Sequence, residues 1–475
     1  MPAEPDPVLH TPSAGSTKSH WSTDVKFPVY AIAWIDDEHV VLAGGGGGSR
    51  TGVRNRLSLY RLSASPASKR SLTLLHSYTL AATEDAPMTI AYDPQTSSLV
   101  AGINSPAEEL EKGTNRNLRV FEVRRTEEGG GWEIEESRRI GTLKTVDPDQ
   151  YQKVSAFTRP PLPSSSTDLS SSSSSTRPSS DVPTLLAIGS TNSQLSLVRW
   201  PEAEEEVWPP AWYSSSGAGG EQGKGKEEEQ EEVMDVDFDD RGELLVGTSP
   251  SRLSIFPTTK SPYLSRAPEA VQVIERPVLK KEMKCVFRGA KFGRLSTSTH
   301  LYTVVNASPL IPSSLSQKQR KAFIKKTPSK AFVSLWDAES WTLVKTRTVC
   351  QKPVTVFEVS RDGRRLAYGA SDLSVGILDA ETLRPILTIL HAHDFPVTTL
   401  QFNPTGTTLI SGSADNSIRI IAVPAGGAVG TGGGGSATTV WAVLVTLLVL
   451  LVAVAIQAGY VGEDVLRAAR LGGMF

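Results

Sequence analysis

Three groups of residues in this chain are of types that can do chemistry. The first is the run Gly44-Gly45-Gly46-Gly47-Gly48, followed by Ser49-Arg50-Thr51-Gly52-Val53 and Asn55. Glycine-rich loops of the form G-x-x-x-x-G-K-[ST] cradle phosphate when a helix follows to supply N–H groups. Counted from Gly44, the pattern meets Ser49 where the second glycine belongs and Arg50 where lysine belongs. The continuation decides against it. Leu57-Ser58-Leu59-Tyr60-Arg61-Leu62 alternates apolar and polar, the period of a half-buried strand. With no helix to follow, a dinucleotide fingerprint is excluded as well. The run therefore reads as an excursion between two strands. It is either a slack linker or a loop whose backbone must come close to something. The second group is His393 with Asp415. The third is Cys285 and Cys350, far apart and without CxxC spacing, which read as core thiols of a reducing compartment rather than zinc ligands or a disulfide scaffold. With seven histidines and no Ser–His–Asp or HExxH arrangement, the chain does not read as an enzyme.

The elements that carry these residues repeat. "PVTVFEVSRDGRRLAYGASDLSVGILD" from Pro353 matches "PVTTLQFNPTGTTLISGSADNSIRIIAV" from Pro396, with Pro353/Pro396 and Asp372/Asp415 both offset by 43. Each unit holds short strands separated by turns. A period in the low forties with four strands per unit is the signature of a propeller blade. Weaker copies lie at residues 29–62, 87–123, 154–200, 233–256 and 283–344, the last carrying Trp336-Asp337. The fold class is therefore an all-β, seven-bladed WD-repeat propeller over residues 20–423. The seventh unit lacks an outer strand, and "HWSTDVKF", residues 20–27, can supply it and close the ring. In such a blade His393 and Asp415 read as a structural hydrogen-bonded pair, since buried polar groups need partners.

The ends of the chain differ. Residues 1–19 have no apolar core and read as an unstructured N-terminus with no secretory signal. Residues 440–461, "VWAVLVTLLVLLVAVAIQAGYV", are uncharged and as a helix span about 33 Å, enough for a bilayer core. They read as one C-terminal transmembrane helix. A Gly-rich tether (424–439) precedes it, and a short tail (462–475) follows on the far side of the membrane from the cytosolic propeller. A serine-rich insert (161–181) and an acidic one (201–232) read as solvated loops. "QKQRKAFIKK", 317–326, reads as an exposed basic loop or short helix, with contact to anionic lipid beside the membrane anchor as the alternative. The net charge of −2 gives no reason to expect nucleic acid.

The combination of propeller, single span and a loop of the form G-G-G-G-x-x-x-T-G-x-x-N resembles the endoplasmic-reticulum guanine nucleotide exchange factors. That family activates the Sar-type small GTPase for coat complex II vesicle budding and includes the prolactin regulatory element-binding proteins. The lead-in Phe27-Pro28-Val29-Tyr30 agrees, while this chain has five glycines where four are usual and Arg50 where lysine is common. The resemblance implies location in the endoplasmic reticulum membrane with the C-terminus in the lumen. It implies a Sar-type GTPase as partner, contacted through Gly44 to Val53 and Asn55. It also implies a potassium ion held by backbone carbonyls within Gly44–Gly48. Asn55 can bond neighbouring backbone and hold the exit of the loop. The rival expectation is a tail-anchored WD-repeat scaffold that binds proteins without exchange activity.

Overall fold

The computed structural model describes residues 19–48, 52–63, 71–126, 130–159, 184–201, 206–212 (as backbone), 231–258, 268–279 and 282–424. They form seven four-stranded antiparallel sheets. The innermost strands are Val29–Trp34, Thr89–Asp93, Gln152–Phe157, Asp235–Phe238, Met283–Phe292, Val354–Val359 and Val397–Phe402. Each touches the next, and the last touches the first. The ring is a closed propeller.

Strand chemistry follows position in the blade. The second strand is sandwiched between neighbouring blades, so both of its faces are buried and it reads as a continuous apolar run, as in His39–Gly44, HVVLAG. The fourth strand lies at the rim and is largely exposed, as in Leu343–Cys350. Apolar clusters bridge the joints between blades. Phe27, Val29, Ile32 and Trp34 of blade one pack with Ile410, Ile418 and Ile420 of blade seven.

The ring closes as the sequence predicts. His20–Asp24 pairs antiparallel with the third strand of blade seven, His20 opposite Ile421 and Asp24 opposite Ser417. Val25 N–H then donates to Asn416 O at 2.8 Å. The pairing covers the open edge of blade seven and ties the two ends of the domain.

The outer strands Ser71–Thr79, Trp132–Ile140, Glu206–Trp212, Gln272–Glu275 and Pro385–Ile389 lie outside the copies read from the sequence. Glu206–Trp212, read as part of the acidic loop, is the outer strand of blade three, with Leu197 opposite Trp208 and Gln194 opposite Trp212. Pro209-Pro210 disguises it, because proline removes ladder donors. An outermost strand tolerates that loss. Gln272–Glu275 likewise completes blade four. The stretch 317–326 forms the helix Gln317–Lys326.

Among the described residues no helix is long and apolar enough to cross a membrane. The expected span 440–461, nearly all of the tether, the tail 462–475, residues 1–18, the insert 161–181 and positions 202–205 and 213–230 of the acidic insert lie outside the described residues. Residues 425–475 form a unit of their own.

Candidate functional site

The glycine loop joins the second and third strands of blade one. It therefore lies on the face where the seven innermost strands begin. Gly44 ends the second strand, opposite Val29 on one side and Arg56 on the other. A Cβ there would lie 1.9 Å from the carbonyl oxygen of Pro28. Gly45 has φ +147°, and a Cβ on it would meet Asn55 Oδ1 at 2.4 Å. These two glycines are required by packing. Gly47 is left-handed, with φ +70°. Around Gly48 and Gly52 there is open space. Val53 packs on the joint between blades seven and one. Ser49, Arg50 and Thr51 lie outside the described residues.

Three successive loop amides point into the body of the blade. Gly45 N–H donates to Pro28 O at 3.0 Å, Gly46 N–H to Val53 O at 3.3 Å, and Gly47 N–H to Asn55 Oδ1 at 3.0 Å. Asn55, only 6% exposed, is the clasp. Its Nδ2 donates to Gly47 O at 3.2 Å and to Glu84 O at 2.9 Å. Its own carbonyl accepts from Leu80 N–H at 2.9 Å. The asparagine thus pins the loop to the segment that leads into blade two.

That segment is itself held by buried charges. Glu84 Oε1 accepts from Arg119 Nη2 at 2.8 Å and lies 3.2 Å from Arg139 Nη1, while Glu84 Oε2 accepts from Ala81 N–H at 3.0 Å. Arg119 is fully buried and also reaches Glu136 Oε1 at 3.0 Å. Arg139 bonds Glu136, and Tyr78 Oη donates to Glu136 Oε2 at 2.9 Å. Burial, then the Glu136 carboxylate, pushes the Tyr78 hydroxyl up to about 12. Burial alone would raise Glu136, but the bonds from Arg139 and Tyr78 and the Arg119 charge together hold its carboxyl below the usual range. No sequence motif announces this cluster. The available signal was a single arginine inside the apolar run Leu118-Arg119-Val120-Phe121.

An axial recess of about 450 Å³ is lined by the inner strands, including Tyr30, Lys153, Asp235, Arg288 and Lys291. Asp235 is raised to about 6 by burial, against the pull of the Lys291 ammonium 2.7 Å away.

His393 and Asp415 lie at the seventh blade. His393 Nδ1 is 3.4 Å from Asp415 Oδ2, and the imidazole is held chiefly by two hydroxyls the sequence did not single out, Ser417 Oγ at 2.9 Å and Ser411 Oγ at 2.8 Å. Burial, reinforced by Arg419 and opposed by Asp415, pushes His393 down to about 4. Asp415 accepts from the N–H groups of Asp394 and Ser417 at 2.7 and 2.8 Å, so the pair shapes a turn. One repeat earlier Cys350 occupies the histidine position. Its thiol donates to Asp372 Oδ2 at 3.1 Å, and burial with that bond pushes it up to about 11.

Among the described residues no group of three or more His, Cys, Asp and Glu could hold a metal ion. The loop differs in kind. Three of its amides are bonded inward, and backbone oxygen is the donor type that suits potassium. The Asp85 carboxylate lies 3.8 Å from where a Cβ on Gly47 would be. Gly47 O already accepts from Asn55 Nδ2, so an ion here would draw on the carbonyls of the other glycines and on Asp85. The loop carries no nucleophile or general base among its described residues. What its described residues provide is a side-chain-poor backbone fixed at its base.

Comparison with known proteins agrees with this architecture. The model of the WD domain, G-beta repeat, matches residues 384–421. The guanine nucleotide-exchange factor SEC12 of Candida glabrata is 21% identical over 439 residues, covering 92% of this chain and 79% of that protein. A chain in the crystal structure of a mitotic checkpoint complex superposes with a TM-score of 0.51 at 11% identity, over 89% of this chain and 100% of its own length, a likeness of fold alone. The chain is a seven-bladed propeller with a WD repeat at residues 384–421, and it is similar to SEC12 along most of its length.

Proposed function

We propose that this protein is a guanine nucleotide exchange factor for a Sar-type small GTPase. It acts at the endoplasmic reticulum membrane and starts coat complex II vesicle formation. The loop from Gly44 to Asn55 is the element that acts on the partner. The observation that carries the reading is the clasp: Asn55 and three inward amide bonds fix the base of a glycine run that is buried at Gly44 and Gly45 and exposed at Gly48.

Nucleotide exchange needs no proton-transfer residue on the exchange factor. It needs a surface that binds the empty GTPase better than the loaded one, because a ligand shifts an equilibrium only by its differential affinity. A loop shaped in advance avoids most of the ordering entropy on contact, on the order of 1–2 kcal/mol per residue. Side-chain-poor backbone can approach the nucleotide pocket closely. Gly44 to Gly48, with Asp85 beside them, would hold a potassium ion, whose charge would rigidify the tip. Residues 440–461 keep the propeller on the membrane where the partner works, with the short tail in the lumen.

The test is release of a fluorescent GDP analogue from a Sar-type GTPase, with the intact chain and with Gly45 to Gly47 deleted. The intact chain accelerates release and the deletion returns it to the unassisted rate, while both proteins melt cooperatively. Equal acceleration by both would remove the loop from the mechanism.

A further inference from the structure

Blade five carries a surface that the exchange reading leaves unused. From Met283 to Trp336 the chain has ten lysines and arginines and no aspartate or glutamate, although the whole chain carries −2. Half of those cations lie in the helix Gln317–Lys326, within the connection between the second and third strands of blade five. By topology that connection emerges on the same face as the glycine loop.

The helix projects from the blade, and none of its residues is buried. Ser316 caps it, with its N–H donating to Gln319 Oε1 at 3.0 Å and its side chain accepting from Gln319 N–H. Arg320 folds back on the lead-in, donating to Leu315 O at 2.9 Å and Ser313 O at 3.0 Å. Lys318, Lys321 and Lys325 follow the spacing i, i+3, i+7 and so form one stripe. Ile324 beside that stripe is 44% exposed, and Leu310 and Ile311 in the lead-in are 47% and 39% exposed.

We infer that this helix is a docking surface for an anionic bilayer. Like charges at helical spacing repel, so the stripe lowers the stability of its own helix unless a counter-surface is present. Apolar side chains next to the lysines suit the headgroup boundary, where an amphipathic basic helix lies flat. An acidic protein surface would satisfy the lysines but not the exposed Ile311 and Ile324. This inference does not rest on the exchange reading.

The chain ended after Pro424 retains all seven sheets and the closing strand pair, and so suits sedimentation with vesicles. Phosphatidylserine-rich vesicles carry it down, pure phosphatidylcholine vesicles do not, and added salt releases it. Lys318→Ala, Lys321→Ala and Lys325→Ala combined keep a good helix former at each position and weaken binding on the order of a hundredfold. Ile324→Ser, at unchanged charge, weakens it roughly tenfold. Equal sedimentation with both vesicle types, no sedimentation with either, or an unaffected triple variant would overturn the proposal. So would binding to soluble polyglutamate as tight as to vesicles with Ile324→Ser silent, which would make the helix a protein-docking site.

Discussion

Replacing Asn55 by alanine isolates the clasp from the rest of the propeller. The side chain makes three hydrogen bonds, two to Gly47 and one to the carbonyl of Glu84. Each is worth about 1 kcal/mol net, and the Glu84 carbonyl loses its partner in a buried place. The clasped loop therefore loses about 2–3 kcal/mol relative to open alternatives, a factor of roughly 30 to 150 in its population. Two measurements on one preparation test this. Amide hydrogen exchange at Gly46 and Gly47 should quicken by up to that factor, with the second strands of the seven blades unaffected. GDP release from a Sar-type GTPase should slow by one to two orders of magnitude. Asn55→Asp should behave like alanine, since a carboxylate keeps the bond from Gly47 N–H but sets negative charge against two carbonyls. If the amides quicken as expected and GDP release does not change, a fixed loop shape is not what drives exchange.

Further outcomes follow from the same geometry. Gly45→Ala would place a Cβ 2.4 Å from Asn55 Oδ1 and should reduce exchange about tenfold or more and lower the melting temperature, whereas Gly48→Ala meets nothing within 4 Å and should leave the melting temperature unchanged. Arg119→Met removes the buried cation shared by Glu84 and Glu136 and leaves them the part-exposed Arg139, so chemical denaturation should show a loss of about 3 kcal/mol, and exchange should fall in the molecules that remain folded. His393 sits near 4 in the folded protein, below its ordinary 6.5. The unfolded chain therefore binds the extra proton between those values, and stability falls as pH drops through that window. Relative to His393→Gln, in which every other titrating group is the same, the wild type should lose up to about 3 kcal/mol between pH 6.5 and 4. A constant difference across that window would mean that the imidazole is not kept neutral by burial.

Much of the architecture was legible because it rests on local patterns that repeat. The 43-residue offset between Pro353 and Pro396 exposed the blades, and the missing fourth strand of blade seven pointed to residues 20–27. Glu206–Trp212 escaped notice because two prolines and neighbouring acids outweigh strand propensity, a conflict that only its edge position resolves. At the site, Asn55 was visible as a turn residue, but its reach to Glu84 was not. The contact joins residues 29 apart, and the cluster beneath it joins Tyr78, Arg119 and Glu136 from three strands with Glu84 from a loop. Tertiary charge networks of this kind leave no periodic trace. The repeat also explains Cys350, whose position is that of His393 shifted by one blade, so that a thiol meets Asp372 where an imidazole approaches Asp415.

An exchange factor and a scaffold differ in one equilibrium quantity, the preference for the empty over the loaded GTPase. Binding of the chain to a Sar-type GTPase, measured once stripped of nucleotide and once saturated with GDP, gives that quantity directly. The account predicts binding of the stripped form tighter by two orders of magnitude or more, about 3 kcal/mol, with GDP dissolving the complex. Equal affinity for the two forms would contradict it, leaving a propeller that holds the GTPase without opening it.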